Sequence, residues 1–322
     1  MARSLLGADR RSSGVDPDAA SPPAPRTHRP KWRAWAGVFV AGFLMSDPAW
    51  TQAPGVREDL QQALRLSQAP ARVISLLPAL TESVCALGQC HRLVGVDRYS
   101  NWPASVQSLP RMGGGLDVNL EAVVAQRPDL VLMAVSSPGQ QRLRALGVPV
   151  LALEPRTHED VRRELLTLAR VLGLPDQQAQ SVWREMDAAL SAAAQSLPAY
   201  LRAQRFYVEV GSGPYGASES SFIGQTLGRL GQANILPAAM GPFPQIQGEF
   251  VVRSQPDVIV ISADSREALV QRPGWSQLRA VQQGRICALS PTQADVLMRP
   301  GPRLAEAAQL LADCLRRLGS PR

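Results

Sequence analysis

The sequence predicts an α/β protein of two similar lobes, each built on a mostly parallel sheet and joined to the other by one long helix. Two observations predict this fold. From residue 72 onward, short β-branched runs alternate with amphipathic helical patterns, which is typical of a parallel sheet covered by helices. Residues 121–132 also align without a gap to residues 249–260, so a short helix, a Pro-Asp turn and a buried strand recur 128 residues apart. The chain of 322 residues, 45% of them hydrophobic, is long enough to bury a sizeable core.

The first lobe is predicted over residues 72–174 and the second over residues 203–322. The first lobe alternates strands and helices, with strands at 73–77, 93–96, 130–134 and 148–153 and helices at 81–87, 119–126, 139–146 and 158–172. The second lobe repeats this alternation, with strands at 206–210, 258–262 and 286–289 and helices at 221–230, 249–254 and 302–318. Strands that alternate with helices in this way favour parallel pairing within each lobe.

One helix is predicted to join the lobes, over residues 175–201. Met186, Leu190 and Leu197 recur on one face of this segment, and Pro198 ends the pattern. About 22 helical residues at ~1.5 Å each extend roughly 33 Å, enough to run along both lobes. Such a stiff connection indicates a cleft that opens and closes little.

The N-terminus carries the pattern of an export signal. Residues 1–30 form a polar leader, and a basic stretch at 28–33 leads into an apolar run of 12 residues. This run suits a signal peptide over residues 31–53, because a membrane-spanning helix needs about 20 apolar residues. An uncleaved inner-membrane anchor is the alternative, since Pro54 follows the small residues at the cleavage position. Residues 54–71 are predicted as a linker, and the mature protein is expected in the periplasm.

Composition and motif content exclude several function classes. The formal charge of +7 arises mainly in the first 33 residues, and the remaining chain carries only +3, so nucleic acid is not an expected partner. The three histidines and four cysteines form no Cys-x-x-Cys and no His-x-x-x-His pair, so no metal site is expected. Glycine-rich nucleotide-binding motifs and the serine-hydrolase motif are absent from the sequence. An enzyme is therefore not expected.

Four aromatic residues stand in loops that follow or border predicted strands: Tyr99, Trp102, Tyr215 and Phe243. In open α/β sheets, the loops beyond the carboxyl ends of the strands form the ligand crevice, so these rings are expected on a cleft between the lobes. Rings contributed by both lobes favour a large, flat and partly apolar ligand. The alternative for each ring is packing against its own lobe.

Two charged residues, Asp295 and Arg299, follow the last predicted strand and precede the last predicted helix, in a segment interpreted as a loop. There they would supply polar partners for a ligand in the cleft. The alternative is a surface ion pair between the two, which contributes ~0–1 kcal/mol to stability.

Cys85 and Cys90 are predicted to form a local disulfide. Gly88 lets the chain turn back between them, so their Cα atoms can approach within the ~4.4–6.8 Å that a disulfide needs. Export to an oxidising compartment favours the bond. The alternative is a pair of buried free thiols.

Three segments carry a family resemblance: Arg-Val-Ile-Ser-Leu-Leu-Pro-Ala-Leu-Thr-Glu (72–82), Leu-Val-Gly-Val-Asp-Arg-Tyr-Ser-Asn-Trp-Pro (93–103) and Asn-Leu-Glu-Ala-Val-Val-Ala-Gln-Arg-Pro-Asp-Leu-Val (119–131). Over about residues 72–318 the chain resembles the class III periplasmic substrate-binding proteins, which serve ABC importers of iron-siderophores, cobalamin and haem. The resemblance implies two Rossmann-like lobes joined by one long helix, and a monomeric receptor that hands its ligand to a two-fold permease in the inner membrane.

Among the members of this family, the chain is most similar to those that bind cobalamin. That similarity implies a corrinoid ligand and no resident cofactor. A haem or ferric-siderophore receptor is the alternative, with Tyr99 as an axial ligand of haem, or Arg98 and Arg299 as partners of an anionic siderophore. A Rossmann-type enzyme or a membrane-anchored scaffold is a third interpretation, of another class.

The resemblance also implies roles for individual residues. Pro78, Tyr99, Tyr215, Phe243, Asp295 and Arg299 fall where the cobalamin-binding members line their cleft. Residues 113–115, three glycines, stand where those members carry a tryptophan against the corrin. Cys314 matches one of their half-cystines, but Leu230 occupies the partner position, so that disulfide is not expected here.

Two glutamates at equivalent positions of the internal repeat, Glu121 and Glu249, match family residues that dock onto arginines of the two permease subunits. From the residues alone, each glutamate would simply stabilise the start of a short helix, by ~0.3–1 kcal/mol.

Overall fold

The computed structural model describes residues 68–319, with the exception of residues 116 and 212. The predicted leader, the signal peptide and most of the predicted linker lie outside these residues. Within the part of the chain that the structure describes, no helix is both long enough and apolar enough to cross a membrane.

The N-lobe has a four-stranded parallel sheet in the order β2-β1-β3-β4. Its strands are β1 (Val73–Ser75), β2 (Leu93–Val96), β3 (Leu130–Met133) and β4 (Val150–Ala152). Its helices are α1 (Pro78–Ala86), α2 (Leu120–Ala125), α3 (Gln140–Ala145) and α4 (His158–Val171). Helix α1 begins three residues before the predicted start, because proline is favourable in the first turn of a helix.

The chain then runs through α5 (Asp176–Gln195) into the C-lobe. The strands of the C-lobe are β5 (Arg205–Val210), β6 (Tyr215–Gly216), β7 (Ala233–Asn234), β8 (Val258–Ser262) and β9 (Ile286–Leu289). Its helices are α6 (Phe222–Arg229), α7 (Gly248–Ser254), α8 (Arg266–Leu269), α9 (Arg279–Gln282), α10 (Pro291–Met298) and α11 (Leu304–Gly319). Strands β7, β5, β8 and β9 are parallel, and β6 runs antiparallel to the end of β5.

The two lobes repeat one backbone construction. Val73 of β1 pairs with Leu130 of β3, and Phe206 of β5 pairs in the same way with Val258 of β8. The strands of the two helix–turn–strand units predicted from the sequence repeat therefore pair with the first strand of their lobe in equivalent register. The predicted α/β class with two sheet-containing lobes is confirmed.

The turn before the central strand has the same unusual conformation in each lobe. Arg127 and Gln255, which are 128 residues apart, both adopt left-handed backbone, with φ angles of 46° and 45°. The carboxylates of Asp129 and Asp257 each accept a backbone N–H at the start of the neighbouring strand, at 2.8 and 2.9 Å. The Pro-Asp motif thus ties two strands together in both lobes.

One hydrophobic core is continuous through both lobes. Alternate residues of the central strands point to opposite faces of each sheet. Val73 and Val258 belong to the shared core together with Leu190 of α5, whereas Ile74 and Ile259 belong to separate clusters on the other faces. Helix α5 therefore packs as part of a common core between the lobes.

The connecting helix is shorter than predicted. It ends at Gln195, and a 3₁₀ turn over Ala199–Leu201 follows Pro198. Its 20 residues extend about 30 Å, and its buried face includes Met186 and Leu190.

Two disulfides are present in the described part of the chain. Cys85 is joined to Cys90 across the end of α1, as the sequence predicts. Cys287 of β9 is joined to Cys314 of α11. The disulfide of the cobalamin-binding members, between the positions of Cys314 and Leu230, is therefore absent, as expected. Cys314 pairs instead with a cysteine of the strand beneath α11, a pairing that the sequence analysis left open.

Candidate ligand-binding cleft

A cavity of about 640 Å³ lies between the lobes, at the carboxyl ends of both parallel sheets. Leu77, Ala134 and Glu154 follow β1, β3 and β4, and Val210 ends β5. This is the edge at which open α/β sheets bind ligands, because loops from several strands meet there. The volume lies within the ~300–1,000 Å³ range that is typical of ligand pockets.

The C-lobe wall of this cleft is apolar. Phe243 packs its ring edge-on against Phe222, with centroids 5.9 Å apart, and both rings line the cavity. Met240, Met298 and Pro300 complete this wall. Such a surface suits a broad, partly apolar ligand face.

The N-lobe wall carries the charged groups of the cleft. The half-buried Glu154 accepts a hydrogen bond from the backbone N–H of Ser136 at 2.9 Å, and Nη2 of the exposed Arg156 lies 3.8 Å from its Oε1. Ser137 donates to the carbonyl of Gly115 at 2.7 Å. The cleft is therefore nearly neutral, with one acid and one base on the same side. Sequence analysis missed both residues, although both lie in the loop after β4, and the loops beyond the strand ends are where it expected ligand-binding residues.

Of the three glycines at 113–115, only Gly115 leaves open space in the N-lobe wall. A Cβ on Gly115 would meet no atom within 4 Å, and Gly115 lines the cavity. A Cβ on Gly114 would lie 2.7 Å from Oδ1 of Asp117 and 3.2 Å from the ring of Tyr99. Gly113, by contrast, has a φ of +89° and a Cβ there would collide with the carbonyl of Asp117. Gly115 thus leaves room for a ligand at this wall.

The structure brings only some of the predicted site residues to the cavity. Phe243 lines it, and Pro78 directly follows the lining residue Leu77 as the first residue of α1. Tyr99 is 59% exposed beside the glycine segment, and Tyr215 is 46% exposed on β6; neither ring lines the cavity. The loop of Tyr99 is held by the buried carboxylate of Asp97, which accepts the backbone N–H of Tyr99 at 2.9 Å and whose pKa is raised by that burial.

Asp295 and Arg299 are not in a loop, which corrects the sequence interpretation. Asp295 lies within α10, and Arg299 directly follows this helix. A capping box formed by Ser290 and Gln293, with a proline at the first helical position, starts the helix, and these residues are the signal that could have predicted it.

Arg299 is buried, and each of its two terminal guanidinium nitrogens has two polar partners. Nη1 donates to Oε1 of Glu82 at 2.8 Å and to Oδ1 of Asn101 at 2.9 Å, while Nη2 donates to the carbonyl of Tyr99 and lies 2.9 Å from Asp295. The neighbours Met298 and Pro300 face the cavity instead. Asp295 and Arg299 therefore join the lobes rather than line the cleft.

Glu82 receives a second guanidinium from the C-lobe. Nε of Arg303 donates to its Oε2 at 3.0 Å and Nη2 to its Oε1 at 2.9 Å, and this arginine lies over the ring of Trp102 at 5.1 Å. We name Glu82, Asp295, Arg299 and Arg303 the inter-lobe ion cluster. Sequence analysis did not identify Glu82 or Arg303 as functional residues. It predicted Trp102 as a ligand contact, whereas the Trp102 ring lies under Arg303 of this cluster.

His158 forms a further contact between the lobes, at the start of α4. Its Nε2 lies 2.9 Å from Oγ1 of Thr226 and 3.1 Å from the carbonyl of Phe222, both on α6. Burial lowers the pKa of His158 to about 4, so the ring is neutral at neutral pH. It positions α6, whose Phe222 lines the cleft, and contributes no charge to it.

The comparisons with known proteins agree with this architecture. The model of the periplasmic binding protein family matches residues 73–292, and the chain therefore belongs to that family. Proteins of this family serve ABC importers as substrate-binding components rather than as enzymes, and membership implies an exported or periplasmic location.

Several relatives have named ligands. A vitamin B12-binding protein of Pectobacterium atrosepticum is 28% identical over 256 residues, which are 77% of this chain and 90% of that protein. The periplasmic vitamin B12-binding protein BtuF of Vibrio cholerae has a TM-score of 0.63 and 25% identity, over 79% of this chain and 99% of that one. A periplasmic haem-binding protein of Pseudomonas aeruginosa has a TM-score of 0.64 and 27% identity, over 79% of this chain and 95% of that one.

Proposed function

We propose that this chain is the periplasmic receptor of an ABC importer and that it carries a corrinoid in the inter-lobe cleft. The observation that carries this proposal is the cleft itself, which combines a broad apolar wall around Phe243 with an almost neutral polar wall. The vitamin B12-binding relatives support the same ligand class. The protein acts by binding and release, without catalytic residues.

The chemistry of the lining favours a corrinoid over a siderophore. A ferric siderophore with anionic groups calls for several arginines, and Arg156 is the one arginine among the residues that line the cleft, already beside Glu154. Cobalamin carries its own axial ligands, so it requires shape and hydrogen bonds rather than a metal-binding side chain. An amide-rich, largely uncharged ligand suits a wall with one acid and one base.

Haem is the second candidate. No histidine or tyrosine is among the residues that line the described cleft, but the thioethers of Met240 and Met298 are, and methionine is a known axial ligand of haem iron. The haem-binding relative supports this alternative.

A binding panel tests the ligand class. Protein purified from the periplasm is titrated by calorimetry with cyanocobalamin, haem and a ferric siderophore, and each mixture is examined by native mass spectrometry. We expect a one-to-one complex with cyanocobalamin. Tight binding of haem or a siderophore without binding of cyanocobalamin would replace the corrinoid with that ligand.

We further propose that Glu121 and Glu249 dock the receptor onto a two-fold permease. Both are exposed, and each lies in the first turn of its helix, α2 or α7, at equivalent positions of the repeat. Rim charges govern association and register, so the double change Glu121→Arg, Glu249→Arg should abolish transport without altering ligand affinity. Wild-type uptake by the double variant would show that both glutamates only stabilise helix starts.

Delivery to the periplasm by a cleaved signal peptide, and action as a monomer, complete the proposal. The mass of the protein recovered from the periplasmic fraction tests the first part: a mass that lacks the N-terminal residues indicates cleavage, and the full mass in the membrane fraction indicates an anchor.

A further inference from the structure

Glu154, the one acidic residue among the described residues that line the inter-lobe cleft, has a fixed position. Its Oε2 accepts the backbone N–H of Ser136 at 2.9 Å. Pro155 follows it and is buried, and the carbonyl of Arg156 accepts the backbone N–H of Phe222 from the C-lobe at 2.7 Å. The segment is therefore anchored in both lobes, and the carboxylate is in place before a ligand enters.

The second carboxylate oxygen of Glu154 is left for a ligand. Oε1 accepts no hydrogen bond within residues 68–319 as described, and Nη2 of Arg156, at 3.8 Å, is too distant to donate one. The side chain of Glu154 is 27% exposed and that of Arg156 is 57% exposed. Solvent therefore screens the charge of the arginine more than the charge of the glutamate.

The surroundings of Glu154 strengthen the effect of its charge. The opposite wall of the cleft, around Phe243, is apolar, and an apolar surface lowers the local dielectric constant. Asp160 and Glu164 lie behind Glu154, where all three line a small cavity. Asp160 already pairs with Arg163, and burial raises the pKa of Glu164 to about 8, so that it is mainly protonated at neutral pH. Among the described residues, the charge of Glu154 is thus offset only by the exposed Arg156.

Such a carboxylate distinguishes ligand groups by their hydrogens and their charge. An ionised carboxylate only accepts hydrogen bonds, and it accepts strong ones from the N–H groups of a primary amide. A ligand carboxylate has no hydrogen to donate, and placing two like charges together is costly. The rim of a cobalamin carries primary amides, whereas haem carries carboxylates and many siderophores carry anionic groups. An acid in this position therefore favours a ligand with amide groups.

We propose that Glu154 determines the specificity of the cleft: its Oε1 accepts an N–H of a primary amide of the corrinoid and disfavours a carboxylate in the same place. This inference rests on the proposed corrinoid ligand and names the ligand group that the cleft selects. Arg156 is the opposite assignment, since an arginine that bound the same group would prefer the carboxylate to the amide. The two residues thus predict opposite preferences between an amide and an acid of the same size.

Monocarboxylic acids of cyanocobalamin, in which one propionamide is hydrolysed to a carboxylate of nearly the same size, test this preference. Each of the three isomers is titrated by calorimetry at neutral pH beside cyanocobalamin. We expect at least one isomer to bind the wild type about tenfold more weakly than cyanocobalamin. Glu154→Gln keeps an acceptor for the N–H of Ser136 and removes the charge, so it should reduce this difference to less than about threefold. Glu159→Gln removes an exposed charge outside the cleft and should leave the difference unchanged.

Equal affinity of the wild type for cyanocobalamin and all three acids would overturn the inference, as would the same difference in Glu154→Gln and Glu159→Gln. Tighter binding of an acid would assign the selection to Arg156 instead. Failure of the ligand proposal is seen separately, as absence of cyanocobalamin binding by the wild type.

If haem binds in place of cyanocobalamin, haem and its dimethyl ester, whose carboxylates are neutralised, give the same comparison. The ester should then bind the wild type more tightly than haem does, and Glu154→Gln should remove this preference. Equal binding of haem and its ester to the wild type would overturn the role of Glu154 for that ligand as well.

Discussion

The junction between the lobes has two regions whose charged residues differ in burial and pairing. In the cleft, the C-lobe wall is apolar, and the charged residues Glu154 and Arg156 stay within reach of solvent. In the inter-lobe ion cluster, Glu82 and Arg299 are buried and directly paired. Buried charges are tolerated when they are paired and hydrogen-bonded. The difference indicates that the ion cluster holds the lobes together, while the cleft leaves its surface free for a ligand.

If this division is correct, breaking the ion cluster should have the largest effect, and the effect should be on stability. Glu82→Ala removes the buried carboxylate that pairs with both Arg299 and Arg303, and removal of one partner of a buried ion pair costs about 3–5 kcal/mol. Urea unfolding followed by circular dichroism measures the loss. The control Glu306→Ala removes an exposed partner of Arg303, 3.6 Å away, and should cost less than ~1 kcal/mol. A Glu82→Ala protein as stable as the wild type would contradict the role of the cluster.

A second buried glutamate sharpens the comparison because it has no such partner. Glu164 of α4 is fully buried, and neither of its carboxylate oxygens has a hydrogen-bond partner in the described part of the chain. Desolvation raises its pKa to about 8, and the nearby Ser83 offsets this only in part. Glu164 is therefore mainly protonated at neutral pH.

This raised pKa predicts a loss of stability as the pH rises. Between pH 4.5 and about 8 the folded chain keeps a proton that the unfolded chain has released, so the free energy of unfolding falls with increasing pH and levels off above 8. Glu164→Gln removes this fall, which is on the order of 3–4 kcal/mol. Unfolding midpoints of the wild type and the Glu164→Gln variant at pH 5 and pH 9 measure this fall. Both proteins contain His158, so its titration contributes equally to the two pH profiles. Glu267→Gln, at an exposed glutamate, serves as a control. Parallel pH profiles of the wild type and the Glu164→Gln variant would show that the pKa of Glu164 is not raised.

Changes in the cleft should instead affect affinity, and by less. Phe243→Ala removes a ring from the apolar wall and should weaken ligand binding about tenfold, or ~1.4 kcal/mol. Phe250→Ala, which truncates a phenylalanine packed on a separate C-lobe cluster, should leave affinity unchanged. Calorimetric titration with the ligand found in the binding panel measures both. Equal losses of ligand affinity in the two variants would mean that Phe243 affects binding only by stabilising the C-lobe.

The smallest effect is expected at the edge of the cleft. Tyr99 is exposed beside Gly114 and does not line the cavity, so Tyr99→Ala should weaken binding less than Phe243→Ala does. Tyr200→Ala, at an exposed tyrosine after α5, is the matched control and should have no effect. A larger loss at Tyr99 than at Phe243 would place the ligand nearer the glycine segment than to the C-lobe wall.

Local sequence patterns were sufficient to predict most of the framework. The strands at 93–96, 258–262 and 286–289 have the predicted bounds, because each is a short apolar run between residues that interrupt regular structure. The internal repeat predicted equivalent turns, and the left-handed conformations at Arg127 and Gln255 agree with it. Helix α10 was missed because it was interpreted by its position between a strand and a helix, although its capping residues were visible.

What the sequence determined by itself is therefore the α/β class, the two lobes, the local Cys85–Cys90 bond and the edge of the sheets at which the inter-lobe cavity lies. Only the tertiary structure decided which polar residues face that edge. Arg299 meets Glu82 across 217 residues, and Cys314 meets Cys287 because α11 packs over β9. Periodicity and turn chemistry act over a few residues, whereas the pairing of buried charges depends on which surfaces the two lobes bring together.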